Sequence, residues 1–171
     1  MVAEVKRILF MNPVVFIAAT RIEADVEKVF AFHENPENLR KIAPDSLRIR
    51  SISCSPHAVV GECFELVATQ FGLPIRWRGV WEVVEHPGQL TDGAEVSPFA
   101  HWRHSHIFER DGDGCRMTDR VECALPGGWV GGLVGAIVLP VIFGVMFRAR
   151  HAATREWFRR EATTGGRSSP A

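Results

Sequence analysis

The chain has 171 residues, with 20 Lys and Arg against 20 Asp and Glu, which suits one domain with its own core and no net charge. Balanced charge without a Lys/Arg run in the main body excludes the electrostatic footprint of a nucleic-acid binder. Four cysteines, Cys54, Cys63, Cys115 and Cys123, form no CxxC pair and no metal-finger spacing, which points to reduced thiols and a cytoplasmic protein.

Lys6-Arg7 ahead of an apolar run has the outline of an export signal, but Asn12-Pro13 breaks its centre, and residues 1–12 are assigned to an N-terminal extension. The β-branched run Val14–Ile22 predicts a strand. Residues 25–34 place Val26, Val29, Phe30 and His33 at helical spacing behind an acidic first turn. Asn35-Pro36 restarts the chain as N-cap and first helical residue of a short helix over residues 36–43, stopped at Pro44. The period then changes to two. Strands are expected over residues 46–54, 61–71, 74–85, 89–95, 100–110 and 115–125. His86-Pro87-Gly88 and Asp111-Gly112-Asp113-Gly114 supply turns, the second a strong hairpin signal. Beyond Pro126-Gly127-Gly128 comes a helix of about thirty residues, on the order of 45 Å long. The Gly- and Ser-rich residues 163–171 are expected to form a flexible tail to a domain spanning residues 13–162.

A run of antiparallel strands with segregated helices is an α+β pattern. A curved sheet of about seven strands gripping one long helix leaves space between them, where a small apolar ligand would sit. Residues 129–147 complicate this picture, because they contain no charged side chain. That run is long enough to span a bilayer, and equally suits a helix buried against the sheet.

Several segments carry a resemblance that covers nearly the whole chain in order. They are Val29-Phe30-Ala31-Phe32 with Asn35-Pro36-Glu37-Asn38-Leu39 and Pro44, then Ser97-Pro98-Phe99. Residues 102–109 (WRHSHIFE), 117–122 (MTDRVE), 125–128 (LPGG) and Phe147-Arg148-Ala149-Arg150 follow. On these the chain resembles the START/helix-grip (SRPBCC) superfamily, in a bacterial polyketide cyclase/lipid-transfer-like branch of mostly unknown function. The resemblance implies a helix-grip fold with a ligand cavity, and Arg150 matches the arginine of that family's FxxR motif. Two departures stand out: the uncharged first half of the terminal helix and the apolar N-terminal extension. Both favour a membrane contact or an unusually apolar cavity.

The hairpin permits an explicit register. If Arg110 pairs with Cys115, then Phe108 faces Met117, His106 faces Asp119, His104 faces Val121 and Trp102 faces Cys123. All eight share one sheet face, assigned inward because most are apolar. A buried carboxylate needs a partner, and His106 is the natural one for Asp119. The pair suits a general base, and equally a structural contact that fixes register. His104 and His106 with Asp119 also imitate a two-His-one-carboxylate metal site, but no further ligand accompanies them, and neither metal nor cofactor is expected. His101, of opposite parity, is expected to face solvent. Trp77 and Trp81 share a face with Ile75, Gly79 and Val83, and Phe64, Leu66 and Ala68 form a similar row. Gly127 to Gly132 lack a following Gly-Lys-Ser/Thr, which excludes a phosphate loop, and GxSxG and HExxH are absent.

The leading expectation is a domain that binds a hydrophobic small molecule or lipid, lined by Phe64, Trp77, Trp81, Phe99, Trp102, His104, Phe108, Met117, Phe143 and Phe147. An alternative is a cyclase/dehydratase-like enzyme in which His106 and Asp119 move a proton. A further alternative is membrane association through residues 129–147, with Arg148, Arg150, Arg155, Arg159 and Arg160 beside anionic headgroups.

Overall fold

A computed structural model describes residues 13–165. The elements are β1 (Val14–Ile22), α1 (Val26–His33), a 3-10 turn (Pro36–Asn38), α2 (Leu39–Ile42), β2 (Leu47–Ser53), β3 (Cys63–Gln70), β4 (Leu73–Glu85), β5 (Gln89–Val96), β6 (His101–Asp111), β7 (Gly114–Ala124) and α3 (Gly128–Gly165). Capping explains the early helices. The Asp25 carboxylate accepts from the Glu27 N–H at 2.9 Å and the Asn35 side chain from the Glu37 N–H at 3.0 Å. The second helix, expected over residues 36–43, is split into the 3-10 turn and the single turn of α2. α3 continues through Pro140 and takes in residues 163–165 of the expected tail; residues 1–12 and 166–171 lie outside the described residues.

All seven strands form one antiparallel sheet in the order β1-β7-β6-β5-β4-β3-β2. The α+β helix-grip architecture expected from the sequence is therefore present. Arg110 pairs with Cys115, so the β6–β7 register is the expected one, with His106 opposite Asp119 and Trp102 opposite Cys123. The inward face is also as expected, because His104, His106, Phe108, Met117, Asp119, Val121 and Cys123 are buried. His101 is half-buried rather than fully exposed.

On β4 the parity breaks. A register shift between Trp81 and Val83 turns Val84, not Val83, toward the core. Upstream of it, Phe64 lies opposite Gly79. A Cβ at Gly79 would clash with the Phe64 ring, so glycine lets that ring lie across the strand against Trp81.

Two core clusters flank the middle of the sheet. One joins Ile22, Phe30, Phe108 and Met117 to Phe158 at the end of α3. The other places Leu139, Phe143 and Phe147 of α3 on Val121 and Cys123, with Phe16 beside them. The apolar half of α3 is thus the inner half of a closing helix along one seam, while its other faces meet solvent.

Candidate functional site

Between the sheet and the helices lies a cavity of about 290 Å³. Its wall is aromatic: Phe64, Trp77, Trp81, Phe99, Trp102 and Phe143 all border it. The rings meet mostly edge to face or tilted, with Trp77 and Trp102 at 4.9 Å and Phe99 and Trp102 at 5.0 Å between centroids. Phe71 and Pro98 are the exposed members of the lining and mark the open end. The other end is polar, built from His33 of α1, Asp92 of β5, His104 and His106 of β6, and Arg150 of α3.

Behind this polar end sits Asp119, fully buried on β7. Its Oδ1 accepts from His104 Nε2 at 2.8 Å and its Oδ2 from His151 Nε2 at 2.6 Å. His106 Nδ1 approaches Oδ1 to 2.7 Å, off the ideal hydrogen-bond axis but close enough to interact with the carboxylate directly. The expected His106–Asp119 contact is therefore part of a four-residue cluster, in which His104 and His151 make the best-aligned hydrogen bonds. Burial pushes the Asp119 carboxyl up, but the surrounding imidazoles outweigh it and hold the group well below the usual carboxylate range.

The hydrogen bonds fix tautomers. A carboxylate only accepts, so His104 carries a proton on Nε2, while its Nδ1 lies 3.8 Å from Asp92 Oδ1. Likewise His33 Nδ1 donates to the Val29 carbonyl at 2.7 Å, which leaves Nε2 as an acceptor. Burial, reinforced by the Arg150 charge, lowers His33 to about 4. Burial and the neighbouring His104 push His106 well below its ordinary value. Burial raises Asp92 to about 6, partly offset by His104 and by the Trp102 N–H, 3.4 Å from Oδ2. Among the described residues, the buried side-chain nitrogens without an aligned hydrogen-bond partner are His33 Nε2, His106 Nδ1 and Arg150 Nε, and all three residues line this cavity.

Of the residues expected to contact ligand, Phe64, Trp77, Trp81, Phe99, Trp102, His104 and Phe143 border the cavity, as does His106. Phe108, Met117 and Phe147 do not. Phe108 and Met117 are consumed by packing beneath α1, and Phe147 by the contact of α3 with Phe16. Asp119 lies behind His104 and His106 instead of at the surface of the cavity. The donors that could converge on one ion are Asp92, His104 and His106, within 4.8 Å of one another, and not the set containing Asp119. The Arg150 guanidinium at the same end works against a cation there. Sequence reasoning missed Asp92, which becomes visible only once β5 is aligned to put it opposite His104. It also missed the roles of His33 and His151, although His33 fell on the correct helix face.

The fold and this interior space define a helix-grip protein of the α+β class. The chain belongs to the family described as "Polyketide cyclase / dehydrase and lipid transport", whose model matches residues 14–164. Solved structures share the fold. A protein of Nitrosomonas europaea superposes with a TM-score of 0.68 at 15% identity, covering 88% of this chain and 97% of that one. A Chromobacterium violaceum protein gives 0.65 at 13%, covering 84% and 96%. The major latex-like protein 151 of Panax ginseng gives 0.64 at 11%, covering 85% and 97%. No curated protein matches the sequence.

Proposed function

We propose that this protein binds a hydrophobic small molecule or lipid in the cavity, with any oxygen-bearing end of the ligand at His33, His106 and Arg150. The observation that carries this reading is an aromatic-walled space whose lining also holds the polar side chains of His33, Asp92, His104, His106 and Arg150. Apolar walls with a few convergent polar groups are the ordinary composition of a small-molecule site. The family description, which names lipid transport, supports the same class of ligand. The four free cysteines suit a reducing compartment, so we place the protein in the cytoplasm. A thermal-shift series of fatty acids, sterols and aromatic polyketides tests the reading. A ligand at about 100 times its Kd adds roughly 2.7 kcal/mol of stability, an easily read shift. Failure of every member, together with a solvent extract of the purified protein free of apolar compounds, would sink it.

The second reading is an acid–base enzyme of the cyclase/dehydrase kind, favoured by one observation. His106 borders the cavity as a neutral imidazole beside Asp119, a geometry suited to taking up a proton. His106→Gln should then abolish turnover of a cyclisable substrate with little change in melting temperature. Undiminished turnover in that variant would exclude the role.

A further inference from the structure

The outer face of α3 carries an apolar stripe that the fold leaves uncovered. In the first half of this helix Gly131, Gly135, Leu139 and Phe143 are buried, four residues apart, so contact with the domain is confined to a narrow seam. Trp129 is 79% exposed, Leu133 60%, Ile137 68%, Val141 68% and Val145 54%, with Val130, Val134 and Val138 alongside. The row extends about 24 Å along the helix. A continuous apolar surface of this extent is uncommon on a soluble monomer.

The stripe runs into the rim of the cavity. Ile142 and Met146 line that space, while Val141 and Val145 beside them face outward. Phe71, which also borders the cavity, is 60% exposed, and Leu73, two residues on, is 70% exposed. Phe71 and Gly72 turn β3 into β4 with φ of 50° and 83°. A bulky residue rarely accepts a positive φ, and a turn of this kind favours Asn or Gly at that position. An exposed aromatic ring is held there against local preference. The ends of the stripe are marked as well: Trp129 stands at one, and exposed Arg148, which joins no ion pair among the described residues, at the other.

We propose that α3 docks this protein on the surface of a lipid bilayer, with the Trp129-to-Val145 stripe in the acyl boundary and the cavity rim beside it. A convex rod of branched aliphatic side chains, tipped by Trp and Arg, matches that layer. A protein partner fits it poorly. Protein interfaces carry roughly one hydrogen bond per 100–200 Å², and the Trp129 indole is the one polar side-chain group over residues 129–147. The helix lies on the membrane and does not cross it. Crossing would strip Leu139, Phe143 and Phe147 from Val121, Cys123 and Phe16. The role given to the rim rests on the carrier reading, whereas the docking face stands on its own exposure.

The test is co-sedimentation of the full-length chain with vesicles of phosphatidylcholine, and with vesicles in which about one third is phosphatidylglycerol. Wild type should pellet with the vesicles and be released by alkaline carbonate. Ile137→Asp and Val141→Asp, both at exposed positions, should lower the partition coefficient by about tenfold or more with an unchanged melting temperature. Wild type remaining in the supernatant with both vesicle types overturns the proposal. So does retention after carbonate, which would indicate a spanning helix. So does a solution dimer that the same substitutions dissociate and vesicles do not, which would assign the face to a second copy. The thermal-shift series on the same samples separates the two readings: ligand binding without sedimentation defeats docking alone, and sedimentation without ligand binding defeats the carrier reading alone.

Discussion

Asp119 Oδ2, midway along β7 and one strand in from the sheet edge, accepts a 2.6 Å hydrogen bond from Nε2 of His151 on α3. That bond ties the closing helix to the sheet immediately behind the cavity, and His104 binds the other carboxylate oxygen at 2.8 Å. The polar end of the cavity is therefore organised from behind, by a carboxylate that does not itself line the cavity.

This arrangement separates two substitutions that the sequence alone treats as equivalent. Asp119→Asn removes the charge that the donors of His104 and His151 address and turns an amide donor toward imidazole N–H groups. Breaking a buried charged cluster from one side costs about 3 kcal/mol or more. At this chain length that should lower the melting temperature by roughly 6–12 °C. His106→Gln removes a ring that makes no aligned hydrogen bond through Nδ1, so the expected loss is about 1 kcal/mol. Urea unfolding of both variants checks the ordering. Equal losses would mean that the cluster is not centred on Asp119.

Leu66 borders the cavity opposite Trp77 on the adjacent strand. Leu66→Trp should fill part of the space of about 290 Å³. Because the added ring enters a void and displaces little packed structure, stability should change by less than about 1 kcal/mol. Any ligand-induced thermal shift should disappear. Retention of the full shift would place the ligand outside this cavity.

Phe71 offers a test of stability set against function. Replacing it with Asn suits the positive φ of 50° and removes an exposed ring. The expected gain is roughly 0.5–1 kcal/mol, read from the urea midpoint. A loss of stability would show that the ring packs on the domain more than it projects from it.

The parts of this architecture legible in the sequence are those fixed by local chemistry. Asp111-Gly112-Asp113-Gly114 pins one hairpin, with Gly112 at φ 64°, and from that turn every inward residue of β6 and β7 follows by alternation. Asp92 was not legible, because residues 97–100 join β5 to β6 without a tight turn and leave the register open. Val84 displaced Val83 through a bulge that no Gly or Pro signals. His151 sits among five arginines in sequence, and only the rotation of α3, set by Phe143 and Phe147 packing, turns it onto Asp119. The same rotation decides which apolar residues of α3 are left in solvent. A uniformly apolar helix carries no periodic signal of its own orientation.

The pH dependence of stability follows from opposed buried groups. Burial lowers His33 from 6.5 to about 4, with the Arg150 charge adding to it. Between those values the unfolded chain binds the proton and the folded one does not, so His33 contributes stability that is present above pH 6.5 and lost as pH falls toward 4. Burial moves His106 in the same direction. Asp92 acts in the opposite sense. Burial raises it from 3.8 to about 6, so its ionised form penalises the folded state above pH 6, and the penalty fades as pH falls toward 4. Two histidines against one carboxyl leave a net loss on acidification. Asp92→Asn removes the opposing group while keeping an acceptor for Trp102. The variant should exceed wild type by about 3 kcal/mol at neutral pH, converge with it near pH 4, and lose stability more steeply between. Urea midpoints measured across that range decide it. A gap that stays constant with pH would show that Asp92 titrates alike in the folded and unfolded chains, and that its burial between Trp102 and His104 costs the ionised carboxyl nothing.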